Sequence, residues 1–78
     1  GHLSELTHLA LLMINIDYSL FEYLPNLKRL QLSYCKTSNI DFLQYTTNLN
    51  WLNLSFNKII DITPITNLPE LTSLNLES

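Results

Sequence analysis

Residues 49–59, LNWLNLSFNKI, set Leu49, Leu52, Leu54, Asn57 and Ile59 in the frame L-x-x-L-x-L-x-x-N-x-I. The frame returns 22 residues upstream as LKRLQLSYCKT, with Leu27, Leu30 and Leu32 in register. It begins again 22 residues downstream as LTSLNLES, with Leu71, Leu74 and Leu76. A fourth copy, LTHLALLMINI, carries Leu6, Leu9, Leu11 and Ile16 and stands 21 residues from its neighbour, one position short. A unit of this length cannot bury its apolar side alone and must stack on a neighbour of the same kind. The period therefore selects a solenoid.

Within each repeat the spacing of three and then two separates strand from helix. Leu30 and Leu32 alternate with polar residues, as on a strand with one buried face. On a helix they would stand about 200° apart, and residues 28–34 would have no apolar side. The expected strands, about residues 8–12, 29–33, 51–55 and 73–77, stack in parallel at about 4.8 Å. Parallel neighbours need a crossover, and the second half of each repeat supplies it. Its apolar marks are Tyr18, Phe21 and Leu24, then Ile40, Leu43 and Thr46, then Ile62, Ile65 and Leu68. Inward residues at every third place suit turns or short 3₁₀ pieces on the convex side. Pro64 fits the opening of one such piece, while Pro25 and Pro69 fit junctions ahead of a strand.

These residues carry a resemblance. The chain is similar to leucine-rich repeat proteins over essentially all of its 78 residues. It most resembles the 22-residue type found in bacterial internalins and in a regulatory subunit of a protein phosphatase. The stretch IIDITPITNLPEL is similar to the internalin-like I-x-D-I-x-P-L-x-x-L-x-x-L. The resemblance implies an α/β-type repeat solenoid, a leucine-rich repeat arc with parallel strands on the concave side. It also implies a non-catalytic protein-binding module, internalin-like, from a bacterial surface or secreted protein; the alternatives are a structural repeat segment that assembles through its uncapped ends and a cytosolic phosphatase-regulator-like scaffold. We expect one domain over residues 1–78, with repeats at about 6–26, 27–48 and 49–70 and a partial one at 71–78. Residues 1–5 read as the tail of an earlier repeat or a tag, His2 included, and the whole reads as a slice of a longer array.

Composition narrows the partners. A net charge of −3 with only Lys28, Arg29, Lys36 and Lys58 as cations argues against nucleic acid and anionic membranes. The longest apolar run, Leu9 to Ile14, is far shorter than the roughly 20 residues that span a bilayer. A single cysteine, Cys35, excludes an internal disulfide and leaves the redox compartment open.

Two sets of positions carry the functional expectation. Asn57 should turn inward after its strand, where its amide satisfies backbone donors and acceptors. Cys35 holds that place in the second repeat with a weaker donor, as a buried ladder residue and not a reactive thiol. Ile14 holds it in the first and can bond nothing, so the upstream end departs from the family pattern and leaves its turn geometry open. If Leu52 and Leu54 face inward, Trp51, Asn53 and Ser55 face outward on the concave sheet. His8, Arg29, Trp51 and Ser73 then form one row, Ala10, Gln31, Asn53 and Asn75 the next, and Leu12, Ser33, Ser55 and Glu77 the third. An exposed Trp beside Arg, with Tyr34 and Phe56 at the strand ends, has the composition of a protein-binding hot spot. The expected partner-binding residues are His8, Arg29, Gln31, Tyr34, Trp51, Asn53 and Phe56.

Catalytic readings fail on placement. Cys35 points inward and His8 outward, so they cannot form a nucleophile–base pair. Asp17, Asp41 and Asp61 are read as falling at different places in their repeats, giving no carboxylate column for acid–base work or calcium. The two histidines lack a third ligand for zinc, and no glycine loop cradles phosphate. Neither cofactor nor metal is expected. The sequon Asn53-Leu54-Ser55 lies in a predicted strand. Uncapped ends exposing core Leu and Ile, with unpaired strand edges, predict end-to-end self-association.

Overall fold

The computed structural model describes residues 3–78; Gly1 and His2, with the reading of His2 as a tag residue, lie outside the described residues. Four short strands, β1 (His8–Leu12), β2 (Arg29–Ser33), β3 (Trp51–Asn53) and β4 (Ser73–Asn75), form one parallel sheet in the order β1-β2-β3-β4. A 3₁₀ turn, η1 (Leu3–Glu5), precedes β1, and three more run between the strands, η2 (Tyr18–Tyr23), η3 (Asp41–Tyr45) and η4 (Thr63–Asn67). The register follows the repeat frame: Leu9 pairs with Leu30, Leu30 with Leu52, and Leu52 with Leu74. This is the leucine-rich repeat arc, with strands on one side and 3₁₀ turns on the other.

The same hydrogen-bond pattern opens each inner pairing. The Thr7 carbonyl accepts from the amides of Lys28 and Arg29, that of Lys28 from Asn50 and Trp51, and that of Asn50 from Thr72 and Ser73. Leu24, Leu27, Leu30, Leu32, Leu49, Leu52 and Leu54 are buried and make the centre of the core. From the convex side come Phe21, Ile40, Leu43 and Thr46, also buried. Phe42 joins them, although its place falls outside the every-third-residue pattern. Its ring packs against Phe21 at 4.4 Å and Tyr18 at 5.1 Å. The Tyr18 hydroxyl then reaches Thr37 Oγ1 at 2.7 Å, so this partly apolar ring keeps its polar end bonded. Ile62, expected to point inward, is exposed at the start of η4.

The last two strands are shorter than their frame predicts. The last residue of β3 and of β4 is Asn, and its side chain turns back on its own backbone. Asn53 Oδ1 accepts from the Ser55 amide and Asn75 Oδ1 from the Glu77 amide, each at 2.9 Å. Such local bonds compete with strand geometry. Ala10 and Gln31 occupy this place in β1 and β2; Gln31 bonds the Ser33 hydroxyl and not its backbone amide, and both strands run to five residues.

Candidate protein-interaction face

The turn after β3 is closed by Asn57. Its Oδ1 accepts from the amides of Cys35 (2.9 Å) and Thr37 (3.2 Å), while Nδ2 faces the carbonyls of Leu32, Leu54 and Ser55. Lys36, at φ 57°, lies between the two amides that converge on the one oxygen. The Cys35 thiol, buried, points at the carbonyls of Leu11 (3.5 Å) and Ser33 (3.3 Å). In the first turn Ile14 is exposed and makes no side-chain bond. The turn nevertheless bends as the others do: Met13, Tyr34 and Phe56 all take φ between 57° and 60°. What the Ile removes is the bonding, not the bend.

Left-handed backbone is costly for bulky side chains. Its recurrence at three matched places puts a row of apolar residues at the strand ends. Met13 is 72% exposed, Tyr34 53% and Phe56 39%. Tyr34 and Phe56 stack in near-parallel rings with centroids 4.6 Å apart, close to the strand spacing.

On the sheet itself, His8, Arg29, Trp51 and Ser73 are consecutive partners across all four strands. Trp51 is half-buried and not open as expected, because a large ring in a parallel sheet is flanked by in-register neighbours. A shallow depression of about 300 Å³ is lined by His8, Leu9, Ala10, Arg29, Gln31 and Trp51. Gln31, Asn53 and Asn75 make the second row. The third row differs from its expectation: Ser33 and Ser55 are buried, their hydroxyls 3.1 Å apart, with Gln31 Nε2 donating to Ser33. Asn53, the sequon residue, is half-buried and tied to Ser55 as described.

His8 sits at the start of β1 with Nδ1 2.8 Å from Thr7 Oγ1, and the Cys35 thiol is turned to backbone carbonyls. Among the described residues no three His, Cys, Asp or Glu side chains group as metal ligands. The acidic residues need one correction. Asp17 and Asp61 stand two 22-residue steps apart with Asn39 midway, so they share one place in the repeat. Each of the three accepts from the amide two residues ahead, Ser19, Asp41 and Thr63, and so starts a 3₁₀ turn. The hydroxyls of Ser19 and Thr63, and then their amides, hold both Asp carboxyls below the usual range. The two carboxylates stand two repeats apart with the Asn39 amide between, so they form no acid–base pair. A second column also escaped the sequence: Asn26 Nδ2 donates to the Ser4 carbonyl and Asn48 Nδ2 to that of Pro25. Asn at a 22-residue interval was its signal.

No helix of the described residues is long and apolar enough to cross a membrane. Comparison with sequence-family models and with curated protein sequences gives no match. Among solved structures the chain is similar to an internalin, inlF, from Listeria monocytogenes, at 31% identity and a TM-score of 0.85. The likeness covers 94% of this chain and 22% of the internalin, so the chain spans about a fifth of that protein's length. Strand register, 3₁₀ turns, the bend closed by Asn57 and this likeness together establish an internalin-like leucine-rich repeat fold.

Proposed function

We propose that the chain is a non-catalytic protein-binding module whose contact surface is the concave sheet around Arg29 and Trp51. The internalin-like fold supports a protein-interaction repeat in general. The observation that carries the finer reading is the depression between His8, Arg29, Gln31 and Trp51. It is held by rigid in-register strands, so contact side chains are ordered before a partner arrives. Tyr34 and Phe56 extend this surface along the strand ends, and Asn53 lies in its second row. Cys35 and Asn57 serve as the ladder beneath it. In keeping with the neighbour, the proposed setting is a bacterial surface or secreted protein.

Partner selection from displayed host and bacterial surface proteins, repeated with Trp51→Ala and Arg29→Gln, tests this reading. Loss of capture with an unchanged circular dichroism spectrum is the expected result. Capture that ignores both substitutions overturns it.

A second reading rests on the two end faces. Leu3, Ile14 and Tyr23 are exposed at one, and Ile60, Ile62 and Leu74 at the other. In this reading the chain assembles end to end, β4 of one copy against β1 of the next. Sedimentation at high micromolar concentration, with and without added capping repeats, separates it from concave-face binding. A clean monomer without caps rejects it.

A further inference from the structure

The concave face has an asymmetry of hydrogen-bonding type. Asn53 and Asn75 each turn Oδ1 onto a backbone amide, Ser55 and Glu77, at 2.9 Å. An amide N–H can only donate, so this bond fixes which way each side-chain amide points. The acceptor oxygen faces the chain's own backbone, and the NH₂ group is left over. Among the described residues neither Nδ2 has a hydrogen-bond partner, nor does the Arg29 guanidinium or the Trp51 indole N–H. Gln31 is the exception, since its Nε2 donates to Ser33 and leaves its oxygen free. Four side chains spread over β2, β3 and β4 therefore offer donors; Gln31 offers an acceptor, and the Ser73 hydroxyl beside Trp51 can do either.

Charge runs the same way. Arg29 is the formal cation of these rows, and no ion pair engages it among the described residues. Within the three concave rows the one carboxylate is Glu77, beyond the end of β4. The rest of a chain of net charge −3 carries its acids elsewhere.

From this we infer that the concave face recognises an acidic, extended protein segment, seating a carboxylate at Arg29 and Trp51 and carbonyl oxygens on Asn53 and Asn75. This rests on the proposed concave-face reading and names the partner's chemistry. A bidentate carboxylate matches the guanidinium fork, and the neutral amides match backbone carbonyls. The Trp51 ring takes an apolar side chain beside them. A polyanion such as nucleic acid or a sulfated sugar fits poorly: one cation on a net acidic chain neutralises too little charge.

The test is selection of a displayed random dodecapeptide library on the full chain, followed by affinities of the winning peptides for four variants. Asn53→Asp and Asn75→Asp keep an oxygen for the backbone amide but turn an outward donor into an acceptor. Arg29→Gln removes the charge, and Trp51→Ala removes the ring. We expect winners enriched in Asp and Glu at least threefold over the library, with Asn53→Asp and Arg29→Gln each weakening them at least tenfold. The double Asp variant should shift new selections toward Lys-bearing peptides. Winners without acidic enrichment, or affinities unmoved by the Asp variants, overturn the inference even where Trp51→Ala still abolishes binding. Winners that ignore all four substitutions overturn the concave-face reading itself. Heparin or single-stranded DNA outcompeting the peptides at equal charge also overturns the inference, in favour of a polyanion site.

Discussion

The turns after β1 and β3 bend alike and are closed differently. Met13 and Phe56 both take left-handed backbone, φ 57° and 60°. Behind Phe56, the Asn57 side chain ties five backbone groups across two repeats. Behind Met13, exposed Ile14 ties none. The bend is thus a property of the repeat frame and its spacing, whereas cohesion between bends depends on one amide. The same split runs through the core. Leu30, Leu32, Leu52 and Leu54 are buried, but Leu9 and Leu11 of the first repeat are only partly covered.

The comparison breaks most sharply at Asn57. Asn57→Leu leaves the Cys35 and Thr37 amides and the Leu32 and Leu54 carbonyls without their partner. With each unsatisfied group costing about 1–3 kcal/mol, we expect a loss of about 3–5 kcal/mol or outright unfolding, read by urea denaturation. Ile14→Leu, at the matched place, should change stability little. Next in size is the core: Leu52→Ala should cost about 3 kcal/mol and Leu9→Ala about half that, since Leu9 is partly solvated already. Equal losses would show that the first repeat is as well packed as the third.

Cys35→Asn works in the other direction. An amide there would accept from the Ile14 and Ile16 amides, the counterparts of Cys35 and Thr37 one repeat earlier. We expect a gain of about 1 kcal/mol, with slowed hydrogen exchange at those two amides. The smallest effect lies on the convex side. Asp17 and Asp61 titrate lower when folded than unfolded, so their contribution is complete above the ordinary carboxylate value of 3.8. It is lost as pH falls through the lower folded values. The double substitution to Asn, as in natural Asn39, should therefore flatten the acid arm of a melting-temperature profile below pH 4 and leave neutral pH nearly unchanged.

Much of this was legible in the Leu spacing, because a parallel register is dictated by which side chains must be buried together. Leu9, Leu30, Leu52 and Leu74 could be aligned from the sequence alone, and Asn57 by its place after them. What escaped had a common cause: different residue names doing one chemical job. Asp17, Asn39 and Asp61 each present an oxygen to the amide two residues on, so a search for three carboxylates missed the column. Asn53 and Asn75 looked like outward strand residues, yet each bonds its own backbone and ends its strand early. Phe42 follows no third-residue count; aromatic stacking with Phe21 places it.

The inter-repeat bonds from side chain to backbone have a direction. Asn57 reaches back to Leu32, Cys35 and Thr37, Asn26 to Ser4, Asn48 to Pro25, and Thr72 to Asn50. Each repeat thus carries the clasp for the one before it. A ribosome delivers these repeats in that same order, so every turn leaves the exit tunnel open and is latched only when its successor follows. Assembly of the arc proceeds like a zip fastener drawn from one end, with the youngest tooth always the loose one.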